Sequence, residues 1–270
     1  TLFAGFLIGM GAGVNVAVAR ALGIGSEEET EKTINSAFII CTIFGVVVCL
    51  ACNLFARQML ELLNTKEELM DGAVLYLKIF SLGMPAMAIY NCGNGVMSAA
   101  GDTRRPLLYL TIAGALNVAL NLFFVIGLHM AADGVALASA IAQCVSAALI
   151  VAHLLRQKDS CRLDLRKLRI HKMASKRILM MGVPSGLQNA IFAIANLFVQ
   201  VGVNSFDAIM VSGNAAAANA DTLVFNMMAA YYTACASFAS RNWGAGNKDR
   251  ILKSFYISML YAFLTGALFG

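Results

Sequence analysis

Asp221 is the acidic residue whose placement bears most directly on chemistry. It stands some 11 residues inside an apolar run over 210–240, roughly 16 Å deep at 1.5 Å per residue. A carboxylate at that depth is costly in hydrocarbon and marks a functional expectation: a coupling cation or the positive charge of a substrate. The alternative is a carboxyl hydrogen-bonded to Asn or Ser on a neighbouring helix. Both readings stay open on the residues alone.

A second set is neutral. Ser185, Asn189, Asn196 and Gln200 recur at spacings of 4, 7 and 4, which places them on one face of a helix. Lipid cannot satisfy such a stripe, so it faces either another helix or a watery cleft. Asn117 and Asn121 lie one turn apart in another apolar run, with helix–helix hydrogen bonding as the simpler reading and cation binding as the sharper one. Tyr90 and Asn91 follow Pro85 by about a turn, where a bent helix could present them to a cleft.

Glycine turns form a third set. Arg20-x-x-Gly23-x-Gly25 closes one apolar run and Arg241-x-x-Gly244-x-Gly246 closes another, 221 residues later. Gly supplies the left-handed residue that ends a helix, and an Arg there complements the helix dipole. A gating contact between the lobes is the sharper alternative. Gly101, Asp102 and Pro106 mark a further turn. Gly5, Gly9 and Gly13 make a small-residue row for close helix packing.

Enzymatic and cofactor chemistry finds little support. The three His (129, 153 and 171) fall near the ends of apolar runs, and Cys49 and Cys52 have no His or Asp beside them. No catalytic residue, metal site or cofactor is expected, apart from a coupling ion.

The elements that carry these residues follow from composition. Of 270 residues 59% are hydrophobic and 13% charged, with mean hydropathy +0.73, against about 25% charged in soluble domains. Apolar runs near 1–20, 33–56, 74–100, 107–130, 133–156, 177–203, 210–240 and 254–270 read as membrane-spanning helices, the third kinked near Pro85. Seventeen of the twenty Lys and Arg fall in alternate connections, which the positive-inside rule assigns to the cytoplasm. Arg57 and Lys66 fall on the other side. Six spans separate the two Arg-x-x-Gly-x-Gly turns, and an even number gives a parallel repeat.

The predicted fold is therefore an all-α polytopic membrane bundle of two six-helix lobes, truncated at both ends. Residues 1–156 form the first lobe, 157–176 a basic cytoplasmic linker, and 177–270 the start of the second lobe. The linker reads as a tether that sets topology and touches anionic headgroups, not as a nucleic-acid-binding element.

Several stretches resemble one family, the multidrug and toxic compound extrusion (MATE) transporters. They are Tyr76-Leu77-Lys78-Ile79, Gly83-Met84-Pro85, Tyr90-Asn91, Ala99-Ala100-Gly101-Asp102-Thr103-Arg104-Arg105-Pro106-Leu107, Asn117 to Phe124, Gly134 to Ala138, Gly182 to Gln188 and Asn214 to Arg250. The resemblance implies helices two to eight and part of nine of a twelve-helix, monomeric transporter in the bacterial inner membrane. It implies export of drugs or amphipathic, cationic small molecules in antiport with Na⁺ or H⁺. A lipid-linked oligosaccharide flippase of the same superfamily is the alternative, with a polytopic membrane enzyme further behind. Many relatives carry an acidic residue near Asn121, and some carry one on helix seven, where Phe192 or a neighbour stands here. Helix one, which holds a further acidic residue in the family, would precede Thr1.

Overall fold

A computed structural model describes residues 2–62, 67–203 and 208–269. Lys66, assigned above to the outer side, lies outside the described residues. Within them the chain is helical, without a strand. The helices are α1 (Leu2–Ile24), α2 (Glu27–Leu62), α3 (Glu67–Ser81), α4 (Met84–Ala100), α5 (Arg104–Leu122), α6 (Ala132–Arg156), α7 (Lys172–Val203), α8 (Ala208–Gly244) and α9 (Lys248–Phe269). A π-helical turn, Phe123–Gly127, extends α5, and a short 3₁₀ turn, Leu165–Lys167, interrupts the linker.

Six of these helices are long and apolar enough to cross a membrane, and α3 with α4 makes a seventh as one bent span. The bend is 41° and falls at Leu82-Gly83, with Pro85 in the first turn of α4. There the missing N–H of proline costs little, because first-turn donors have no helical partner. The interrupted backbone is tied down locally. Leu82 N–H donates to the Ile79 carbonyl and Gly83 N–H to the Phe80 carbonyl, each at 3.1 Å. Asn53 of α2 donates to Ser81 Oγ at 2.7 Å, and Ser81 donates in turn to the Lys78 carbonyl. Neighbouring polar groups thus satisfy a break that lipid could not.

The predicted span over 210–240, α8, has ample length at 37 residues but is not among the apolar ones. Asn214, Asn219, Asp221 and Asn226 dilute it.

The core centres on α1, which packs against α2, α4, α7 and α8. Its Leu7, Met10, Val14 and Val18 share one buried cluster with Ile34 and Cys41 of α2, Val96 and Met97 of α4, and Ile150 and Leu154 of α6. Between helices in a bilayer, close packing supplies attraction that water expulsion does not, and small residues make such packing possible. A side chain at Gly45 would press on Pro85 Cα at 2.7 Å, so that glycine admits α4 at its bend.

The linker is more than a tether. Cys161 and Leu163 are buried in the core cluster, and burial pushes the Cys161 thiol above its ordinary pKa. Asn35 of α2 donates to the Lys167 carbonyl at 3.3 Å, Ser36 donates to the Arg169 carbonyl, and His171 N–H donates to Ser36 Oγ at 3.0 Å. Lys167 pairs with Glu31 at 3.1 Å. Residues 161–171 therefore lie along the acidic N-terminal end of α2, and α7 begins at Lys172, five residues before the predicted span. The physical reason is apolar burial: Cys161, Leu163 and Leu168 put apolar groups between the charges, and these join the core cluster.

Candidate functional site: a closed junction and the polar groups around it

Each Arg-x-x-Gly-x-Gly turn ends its helix with a left-handed glycine. Gly25 has φ +77° and Gly246 φ +76°. Gly25 N–H donates to Leu22, and Gly246 N–H to Trp243, both at 3.2 Å. The other glycine of each motif has a separate task. A Cβ at Gly23 would overlap the Arg241 carbonyl, and a Cβ at Gly244 would overlap the Arg20 carbonyl. The contact is reciprocal: each turn presents its glycine to the backbone of its counterpart. The C-terminal ends of α1 and α8 thus cross on two glycines and bring the two repeats into backbone contact.

Further bonds fasten this end. Ser240 of α8 donates to the Val16 carbonyl of α1 at 2.7 Å, and Arg177 of α7 pairs with Glu29 of α2 at 3.3 Å. Along α1, side chains at Gly9 and Gly13 would strike the backbone of Gly186 and Gly182 on α7. The glycine row is a packing seam for α7.

Just inside the junction a small cavity of 90 Å³ is lined by Asn15, Ser185, Tyr232 and Thr233, among others. Asn15 is 3% exposed, and its Oδ1 has no hydrogen-bond partner among the described residues. Sequence reasoning passed over this residue. The signal was a lone Asn in an otherwise apolar turn of α1, one helical repeat above Arg20.

The predicted stripe on α7 divides in two. Ser185 reaches that cavity, and Asn189 donates to the Gly5 carbonyl at 3.2 Å. Asn196 and Gln200 lie exposed farther along the helix. Asp221 is likewise exposed, on α8, about 20 Å along the helix from Ala208. Tyr90 does not face a cleft. It is 8% exposed, and its hydroxyl donates to the Pro106 carbonyl at 2.9 Å, because the bend turns that side of α4 toward α5. Asn91 donates to Met87 of its own helix and abuts Gly11 of α1. At the third turn, Gly101 has φ +94°, and Asp102 accepts from Arg105 N–H at 3.2 Å, capping α5.

The structure does bring Asn117 and Asn121 together with Ser139 of α6. Asn121 Nδ2 donates to Asn117 Oδ1 at 3.1 Å, Asn117 Nδ2 donates to Ser139 Oγ at 3.3 Å, and Ser139 donates to the Val135 carbonyl. The chain of donors leaves Asn121 Oδ1 buried without a partner among the described residues. The π-helical turn starts two residues later, a distortion frequent at functional sites. Among the described residues no group of three or more His, Cys, Asp or Glu stands close enough to hold a metal ion.

The MatE family model matches residues 1–123 and 184–270. Among curated relatives, the probable multidrug resistance protein YoeA of Bacillus subtilis is 23% identical over 98% of this chain and 59% of its own length. The FAD transporter of Shewanella oneidensis is 22% identical over 94% of this chain and 57% of its own. A crystal structure of MATE in complex with MaD3S superposes with a TM-score of 0.87 at 22% identity, covering 98% of this chain and 60% of that one. A MOP superfamily transporter from Pyrococcus furiosus, whose report states that a reversed polarity of the binding pocket suggests a different function, gives 0.86 at 21% over 98% and 59%. These structural likenesses establish the fold, and the chain spans about 59% of the length of such relatives. With the family model matching both glycine turns and most of the helices between and around them, the chain belongs to the MatE family of membrane transporters.

Proposed function

We propose that the full-length protein is a secondary active exporter of amphipathic or cationic small molecules, driven by antiport with Na⁺ or H⁺ in the bacterial inner membrane. It acts as a monomer of two lobes, 1–156 and the part beginning at 177, with 157–176 as the cytoplasmic linker. The observation that carries this reading is the reciprocal glycine contact at the basic end. Two repeats that meet on backbone at one end and enclose polar groups just inside are arranged for alternating access, in which one lobe rocks against the other. With seventeen cations at the closed end, the state described is closed to the cytoplasm.

Two places are candidates for coupling. Asn121 Oδ1, buried and unpartnered, offers a neutral oxygen, the type of ligand a hard cation takes. An amide binds no proton in this range, so coupling through this cluster favours Na⁺. Asp221 could take either ion or a cationic substrate. Efflux from proteoliposomes under separate Na⁺ and H⁺ gradients decides. Asn121→Ala is expected to lower Na⁺-driven efflux about tenfold, the cost of one charge-assisted ligand, with folding unchanged. Asp221→Asn retaining full efflux at normal expression would remove Asp221 from the mechanism.

A second reading is a dedicated exporter of an anionic metabolite, favoured by the similarity to the FAD transporter. A panel of cationic dyes against flavin nucleotides in the same vesicles separates the two.

A further inference from the structure

Just inside the junction, near the cytoplasmic ends of α1 and α8, lies a cavity of 420 Å³ walled by both repeats. Val16, Ala17 and Arg20 of α1 form one wall, and Arg177, Met180 and Met181 of α7 another. Trp243 of α8 stands at its edge, 61% exposed. The lining is apolar apart from Ser240 and the two guanidinium groups. Arg177 shares its charge with Glu29 at 3.3 Å. Arg20 has no ion pair among the described residues, and its Nε is buried without a hydrogen-bond partner. A buried donor left unmade is expensive, and the transport reading gives this one nothing to do.

We propose that this cavity binds the headgroup of an anionic phospholipid from the inner leaflet, with an acyl chain laid against Met180, Met181 and Trp243. Three features select that occupant. Basic pockets between helices on the cytoplasmic side suit anionic headgroups. Tryptophan favours the membrane interface, where Trp243 stands beside the last turn of α8. The flexible thioethers of the two methionines accommodate a chain of no fixed shape. Because α1 supplies one wall and α7 and α8 the others, the site exists only while the cytoplasmic end is closed. The bound lipid therefore holds the repeats together and biases the protein toward the state open to the outside. The proposal rests on the membrane orientation, not on the identity of any exported substrate.

Trp243 is the only tryptophan of this chain, so it reports on its own site. Full-length protein is placed in nanodiscs containing brominated phosphatidylglycerol or brominated phosphatidylcholine at equal mole fraction, and quenching is taken as the difference from Trp243→Phe. Quenching by the anionic lipid is expected at about fivefold lower mole fraction for each unpaired arginine engaged. Arg20→Gln should abolish this preference, and Arg20→Lys should keep part of it. Equal quenching by the two lipids overturns the proposal, as does an unchanged preference in Arg20→Gln. Should Arg20→Gln fail to fold, native mass spectrometry of the unaltered protein from mixed-lipid nanodiscs gives the answer. Retained phosphatidylglycerol supports the site, and retention of neither lipid refutes it. Efflux is measured separately on the same samples, so a non-transporting protein that still prefers the anionic lipid leaves this inference standing.

Discussion

The two Arg-x-x-Gly-x-Gly turns share a backbone and differ in their side chains. Gly25 and Gly246 agree in φ within a degree, and each donates its N–H to the carbonyl three residues before it at 3.2 Å. Around them the resemblance stops. Arg20 is half-buried with an unmet donor, whereas Arg241 is exposed. Leu22 fills the position of Trp243. What the repeat preserves is the geometry that lets two helix ends cross. Its two copies have diverged where side chains reach beyond that crossing, toward the cavity on one side and the linker on the other.

That comparison is most sharply tested where the copies touch. Gly23→Ala puts a methyl group into the Arg241 carbonyl, and Gly244→Ala puts one into the Arg20 carbonyl. Neither neighbour can yield as a flexible side chain would. Overpacking of this kind costs about 1–3 kcal/mol, enough to shift the closed state by roughly tenfold or more. Either variant should reduce efflux by that order, and the double variant should be little worse than the single ones, because one spread of the helix ends relieves both clashes. Additive losses would show that the two contacts are independent and that the reciprocal crossing is not one unit.

Smaller, and equal in the two copies, is the effect of replacing the left-handed residues. Gly25→Ala and Gly246→Ala have open space around the new methyl, so only backbone strain remains. It costs about 1–2 kcal/mol for a residue held in the left-handed region. Thermal unfolding of the full-length protein should fall by the same few degrees in both, with efflux at permissive temperature kept. Unequal shifts would mean that the turns differ in backbone as well as in side chain.

Much of this was legible in the letters. The spans, the bend near Pro85 and the helix-ending glycines all follow from hydropathy and from residues with one backbone use. The reciprocal contact was open only as the alternative of a gating contact between lobes, without its geometry. Gly23 and Gly244 look like ordinary turn residues, and nothing local says that each faces the carbonyl of the other, 221 positions away. The polar residues were legible as a set but not in their directions. Asn117 and Asn121 did meet, since one helix turn joins them, whereas Ser139 came from α6 and carried no local sign. Tyr90 turned inward because the bend in α4 sets its azimuth, which periodicity cannot supply. Asn15 was missed because a single amide in an apolar helix has no pattern to belong to.

The ion pair between Arg177 and Glu29 marks the low end of the scale. It joins α7 to α2 at the same closed end as the glycines, yet its side chains are 31% and 37% exposed. Water and salt screen a pair so placed, and its worth is about 0.2–1 kcal/mol. Glu29→Gln should therefore shift the closed state less than fivefold at low salt, and the shift should shrink further as ionic strength rises and the Debye length drops below about 10 Å. The glycine variants should show no such salt dependence, because a steric overlap has nothing to screen. Measured side by side across a salt series, the two responses separate a junction held by backbone fit from one held by charge. A Glu29→Gln effect as large as that of Gly23→Ala, and constant in salt, would reverse that ranking.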